Sequence, residues 1–264
     1  MAGLRAGVVA GRAAIGVGVA LCGCASSDPL LRVEAAVFTP SFDGDVGLSS
    51  STVTDAETID LVSALDLGDT DVVPYLRAEI DLGPFNVAAS GFATSQDGTG
   101  ITTADFGNIS AGSTVDSEID LTLAQGRAIV DLIDTNLVKL GLGLAVEWVD
   151  FELDSREQTL GLTESVDVAQ LVPLVAAHAS AGIDLPWVMP IRFDLNVAGM
   201  SLRYEDIDGT VLDVEALLRG DGGRFGWFVG YRHALIQSDG EVDGQDFDGD
   251  ITVSGWLIGL NVRI

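Results

Sequence analysis

Basic residues are scarce in this chain: 13 lysines and arginines stand against 40 aspartates and glutamates, with two histidines. All the acids follow residue 24 while Arg5 and Arg12 precede it, so the chain beyond its leader is more acidic than the overall formal charge of −27. Such a surface repels phosphates and attracts cations, which argues against nucleic acid as a partner. It also suits salty surroundings. Cysteine is nearly missing. Cys22 and Cys24 are the two there are, and they form no Cys-x-x-Cys pair. No glycine loop for phosphate and no histidine-rich zinc spacing occurs. Beyond the leader there is no apolar run long enough to cross a bilayer as a helix, although 47% of the residues are hydrophobic and the mean hydropathy is +0.36. That apolarity has to be spread over alternating positions.

Residues 1–23 read as an export signal. Arg5 and Arg12 supply the positive region and Ala13 to Ala20 a short apolar core. Leu21-Cys22-Gly23-Cys24 resembles a bacterial lipobox, which implies lipidation of Cys24 as the mature N-terminus. The alternative is ordinary cleavage near Gly23-Cys24-Ala25, with no lipid. With lipidation, Cys22 leaves with the signal and no disulfide is available. Ala25, in place of an aspartate, is compatible with the outer membrane. Residues 24–30 are then a short periplasmic tether, and 31–264 form one all-β domain.

The last nine residues show the pattern of that domain. Trp256, Ile258, Leu260, Val262 and Ile264 alternate with Leu257, Gly259, Asn261 and Arg263, giving a strand with one apolar face. The segment resembles the C-terminal signal of bacterial outer-membrane β-barrels, with Ile264 where an aromatic residue is usual. Ten strands are expected, near 31–39, 73–82, 85–94, 117–132, 138–153, 167–184, 190–204, 210–219, 224–236 and 251–264. Thr58 to Leu67 is a further candidate strand, and eight strands is the alternative count. Short connections follow every second strand, as at Gly83-Pro84 and Gly220 to Gly223, and longer polar ones follow the others. That is the layout of an antiparallel up-and-down transmembrane barrel with short periplasmic turns. An even count places both termini on the turn side, where Cys24 would sit. Val138, Leu140, Leu142, Leu144, Val146 and Trp148 make one lipid face, ended by Asp150, Glu152 and Asp154. Irregularities are expected at Ala124 to Ala128 and at Ala198-Gly199, where the alternation changes phase, and at Pro173, which lacks a ladder donor.

Three constellations could carry chemistry. The first is inward-facing charge: Arg32, Glu34, Arg77, Glu79, Asp81, Lys139, Glu147, Arg192, Asp194, Asp213, Glu215, Arg219, Arg232 and Arg263. In a narrow lumen such charges must pair. Barrels of this size enclose little beyond their own side chains, so a salt-bridged plug is expected, with a narrow cation-preferring channel as the alternative. The second is the acidic loop with Asp239, Glu241, Asp243, Asp246, Asp248 and Asp250. It partly follows a calcium-loop spacing, with Gly244 at the sixth position. A hairpin turning at Gly244-Gln245 would place Asp243 opposite Asp246, Glu241 opposite Asp248 and Asp239 opposite Asp250, repulsions that Ca²⁺ would relieve. The third is His178-Ala179-Ser180, which resembles the His-x-Ser pair of outer-membrane lipid A deacylases. Ala181 and Pro190 depart from that family's pattern, and the pair lies close to a periplasmic turn.

The chain as a whole resembles small outer-membrane barrel proteins. The resemblance implies a bacterial outer-membrane location, contact with outer-membrane lipid and insertion by the barrel-assembly machinery. The expected function is a non-enzymatic structural or surface-binding barrel with acidic segments Asp43 to Asp71, Asp97 to Asp116 and Ser238 to Asp250 outside. It needs no cofactor, Ca²⁺ at the acidic loop being the one candidate. Alternatives are the cation channel, a lipid A deacylase-like enzyme, and a soluble periplasmic β-sandwich lipoprotein.

Overall fold

Alternation with a period of two favours extended backbone, and such stretches must find partners for their peptide groups. In the computed structural model they do so in one closed sheet. The structure describes residues 30–49, 58–67, 71–135, 137–183, 189–204, 207–242 and 245–264, and leaves aside the side chains of 202–208 and 241–246. The leader, Cys22, Cys24 and the tether to residue 29 lie outside the described residues.

The strands are β1 (Leu31–Leu48), the short β2 (Thr58–Asp60), β3 (Val73–Asp81), β4 (Phe85–Ile101), β5 (Thr114–Asp134), β6 (Val138–Glu157), β7 (Thr163–Ile183), β8 (Ile191–Tyr204), β9 (Ile207–Gly222), β10 (Phe225–Val242) and β11 (Gln245–Arg263). Each pairs antiparallel with its neighbours in chain order, and β1 closes on β11 from Arg32↔Arg263 to Leu48↔Phe247. Setting β2 aside, the barrel has ten strands, not eight. The candidate strand at 58–67 is only the three residues of β2, paired to Asp45–Gly47 of β1, followed by a turn.

The two ends differ. At one, short turns join the strands, Gly83 and Gly223 adopting the positive φ such turns require (77° and 82°). Leu31 and Ile264 exchange backbone hydrogen bonds at this same end (3.1 and 2.8 Å). At the other end the strands run far past what a bilayer needs. β5 and β7 have 21 residues each, whereas about 9–11 tilted residues cross the hydrocarbon. Of the acidic stretches expected as loops, Ser238 to Asp250 is mostly paired strand, whereas Asp43 to Asp71 and Asp97 to Asp116 are strand only in part among the described residues. The register corrects the acidic hairpin in particular. β10 and β11 stay in phase from Phe225↔Val262 up to Val242↔Gln245, so Gln245 is already paired strand and the register differs from that of a turn at Gly244-Gln245. Asp239 then opposes Asp248, Glu241 opposes Asp246, and Asp250 opposes Gln237. A ladder uninterrupted from Phe225 upward fixes this register.

The apparent exchange of faces at Ala124 to Ala128 and at Ala198-Gly199 is not a bulge. β5 keeps Leu121, Leu123, Gln125, Arg127 and Ile129 inward without a break, and its register slips only at Asp131/Ile133. β8 pairs evenly with β9 from Ile191↔Gly220 to Tyr204↔Ile207. What changes is the solvent. β6 shows it plainly. Leu140 to Trp148 face outward and are exposed while Glu147 is buried inward; further up, Asp150, Glu152 and Asp154 face outward while Val149, Phe151 and Leu153 are buried. Toward the turn end the barrel is apolar outside and charged inside, as lipid demands. Toward the far end it is acidic outside and apolar inside, like a soluble protein.

That outer half has two breaks in its wall. Above Tyr75↔Phe92, β3 no longer accompanies β4. Segment 58–67 takes its place, with Leu61, Leu65 and Leu67 buried. Ala64 and Asp66 backbone atoms press on Gly98 and Gly100 so closely that a Cβ at either glycine would overlap them. The second break is between β7 and β8, whose pairing stops at Val175↔Gly199 although both strands continue.

Candidate functional site

Alternation aims the inner faces of ten strands at one axis, and the lumen they line is built in three levels. At the turn end is a cup of about 380 Å³, with Thr135 and Pro190 at its lip and Arg32, Asp81, Lys139, His178, Arg192 and Arg263 among its walls. Lys139 Nζ meets Asp81 (3.3 Å) and Asp134 (3.5 Å), Arg32 lies 3.8 Å from Glu79, and Arg263 pairs with Asp221.

Above the cup is a layer of mostly buried ions. Arg219 contacts Glu34 through Nε (2.8 Å) and Nη2 (3.1 Å) and pairs with Asp194 through Nη1. Arg77 pairs with Glu215, with Glu79 (3.1 Å) and with Glu34 (3.5 Å). Arg232 binds Asp213 through Nε (3.1 Å) and Nη2 (2.8 Å) and reaches Glu147 at 3.3 Å. Neutral groups complete it: Tyr75 donates to Glu215 (2.5 Å), Asn196 Nδ2 to Glu215 (3.0 Å) and Gln125 Nε2 to Asp213 (2.7 Å). Buried carboxylates and guanidiniums persist only when paired like this, because each ion alone loses several kcal/mol of hydration.

The third level is an apolar core. Phe38, Phe92, Leu121, Leu123, Phe151 and Leu257 are all 6% exposed or less. Phe38 and Phe92 meet edge-on at 4.7 Å, and the Arg232 guanidinium sits 5.3 Å over the Phe92 ring, joining this level to the one below.

The sequence-predicted inward charges fall on the lumen side, and most share the cup or the ion layer. Arg127 was missed. It lies buried in the ion layer with Nε and Nη2 lacking hydrogen-bond partners. Unbroken alternation through β5 would have found it, as it would Gln125. His178 lines the cup and Ser180 is buried on the same inward face of β7, but they do not engage one another. His178 Nδ1 is 2.8 Å from Asn196 Oδ1, and the Ser180 hydroxyl bonds Asp194. His233 faces outward beside the outward Tyr231–Trp256 pair, whose rings meet edge-on at 5.3 Å. At the acidic hairpin Asp239 and Asp248 are opposed, and the side chains of Glu241, Asp243 and Asp246 lie outside the described residues. Among the described residues no group of three or more His, Cys, Asp or Glu side chains is placed to hold a metal.

No family model matches the chain, and no curated protein matches it. Solved structures do. The outer membrane protease OmpT of Escherichia coli is similar over 89% of this chain and 96% of its own, with a TM-score of 0.55 and 10% identity. This chain has the bacterial outer-membrane β-barrel fold. The barrel is also similar to the translocator domain of the autotransporter NalP from Neisseria meningitidis (TM-score 0.45, 11% identity, 89% and 88% covered) and to the outer membrane protein AlkL (TM-score 0.42, 10% identity, 94% and 97% covered). At such identities the likeness to OmpT concerns the fold alone. That fold is one of bacterial outer membranes, and the apolar outward belt toward the turn end suits it.

Proposed function

We propose that this protein is a closed, non-enzymatic surface barrel that displays a rigid acidic wall outside the cell and passes no solute along its axis. The observation that carries this reading is the third lumen level: among the described residues an apolar core lies beyond a layer of paired ions, which supports an axis closed to water. On the outer face of β4 to β7 the carboxylates stand in rows. Asp97, Glu118 and Asp154 are successive cross-strand neighbours, as are Asp120, Glu152 and Asp167. Such rows gather cations and cationic partners by long-range attraction, and Ca²⁺ is one candidate. With the turn end periplasmic and the extended strands outside, Cys24 belongs seven residues before Leu31 on the periplasmic side, which supports a lipid anchor there. The acyl chains would then add to the hold of the barrel itself.

Planar-bilayer recording tests the reading. The purified protein, whose insertion is verified by heat-modifiable gel migration, is expected to give no discrete conductance steps. Regular steps, larger for K⁺ than for Cl⁻, would instead establish the narrow cation-preferring channel.

A further inference from the structure

The second break in the wall has a definite cause. In the β6–β7 pair, Gly182 N–H bonds Leu137 and Glu157 N–H bonds the carbonyl of Leu162, and the register is unbroken between them. Even-numbered residues of β7 therefore turn their peptide groups to β6, and odd-numbered ones turn theirs to β8. Pro173 is odd-numbered. Its missing N–H is the donor that would meet Ser201 if the β7–β8 register continued past Val175↔Gly199. Pairing stops one rung before it.

The height of the break matters as much as its cause. Val175 pairs with Leu144, Pro173 with Val146 and Leu171 with Trp148. The foot of the opening thus lies two outward rungs below the Trp148 boundary, within the outer leaflet. Its outward flanks, Leu171 and Val175, are 58% and 59% exposed. Its inner wall is apolar: Val172, Leu174, Ala198 and Val211 form one buried cluster with Met200 packed against it. Above them a small cavity of about 30 Å³ is lined by Phe151, Val168, Ile236 and Phe247. Among the described residues no strand is paired into this seam, in contrast to the β3–β4 break, where segment 58–67 takes the place of β3.

We propose that the β7–β8 seam is a lateral port through which one hydrocarbon chain of an outer-leaflet lipid enters the apolar interior of the extracellular half. Lipid is what surrounds the seam at its foot, and an apolar wall offers nothing to a polar solute. An added polypeptide strand is a poorer occupant, because along β7 it would meet the same missing donor at Pro173. The port opens sideways into the bilayer, so it coexists with a barrel that conducts nothing along its axis.

The test is photo-crosslinking of the full chain, reconstituted in vesicles of phosphatidylcholine with a diazirine at the end of one acyl chain, followed by peptide mapping. Label is expected on inward Leu174 and Met200 as well as on the outward belt residues Leu142 and Leu144. Pro173→Val restores the donor and should abolish the inward label while leaving the belt label unchanged. If that variant does not fold by gel migration, Met200→Trp, which fills the mouth of the port, should have the same effect. Label confined to outward residues in the unsubstituted protein overturns the port. So does inward label that persists in whichever variant folds.

Discussion

Arg219 and Arg127 are the same residue type in the same buried layer, yet their surroundings differ. Arg219 is held between Glu34 and Asp194, whereas Arg127 leaves two of its nitrogens without a hydrogen-bond partner. Removing one member of a buried ion pair strands the other and costs about 3–5 kcal/mol. Arg219→Met is therefore expected to lower stability by about that much, read as the shift in urea midpoint for unfolding from lipid vesicles. Arg127→Met removes a poorly compensated charge and should be close to neutral or stabilising. Equal losses for the two would mean that the layer acts through its net charge rather than through its particular pairs. The outer end has its own residue-scale device. The Glu157 side chain accepts the N–H groups of Leu160, Thr159 (2.8 Å) and Gly161 (3.2 Å), so the tight connection between β6 and β7 is organised around one carboxylate. Those bonds, led by that from Leu160, hold its pKa below the usual glutamate value.

Strands behave here as units with two solvents along their length, and β6 carries the argument furthest. Its outward side leaves lipid at Trp148 and becomes Asp150, Glu152 and Asp154. Burial, and then the carboxylates of Asp154, Asp167, Asp120 and Asp150, push the Glu152 pKa above its ordinary value of 4.5. A raised carboxyl pKa means that the native state takes up the proton more readily than the unfolded chain does. Its unfavourable term is absent below the ordinary pKa, grows as pH rises toward the raised value, and is complete above it. Glu152→Gln should accordingly raise the melting temperature at neutral pH in low salt. It should have no effect well below the ordinary glutamate pKa, and its advantage should shrink as salt screens the row. A lower melting temperature at neutral pH would instead reveal a cation bridging these carboxylates. The sequence made β6 legible because every second residue reports the surrounding solvent. It made β5 harder to read for the same reason: where the interior turns from apolar Leu121 and Leu123 to polar Gln125 and Arg127, a change of solvent looks like a change of face. The acidic hairpin was misplaced because its turn is fixed by a ladder that begins at Phe225, far from the turn itself. The break at Pro173 could be located from sequence but not interpreted, since which neighbour loses the donor depends on register.

At the scale of the whole molecule, the barrel joins a membrane half and a soluble half end to end, and the lumen levels follow from that junction. Within lipid the wall faces hydrocarbon, so polar side chains can only be turned inward, where they pair. Outside the membrane the wall faces water and the interior becomes an ordinary apolar core. The cup, the ion layer and the core are thus one consequence of strands about twice as long as a bilayer requires. The ten-strand count and the turn layout were readable in the chain because they rest on local alternation and turn residues; the ion pairs of the lumen were not, because alternation gives the face of a side chain and not the partner it meets. The same arrangement fixes a direction, and direction can be measured in intact cells. Thr99 on β4 and Arg224 in the β9–β10 turn are both exposed, at opposite ends of the barrel. With Thr99→Cys, a membrane-impermeant thiol reagent should label whole cells, above the background of the unsubstituted chain. Arg224→Cys should be labelled only after the outer membrane is permeabilised. The reverse order would invert the barrel, place the acidic wall in the periplasm and remove the basis for a surface role. Labelling of both positions in intact cells would deny the transmembrane placement itself.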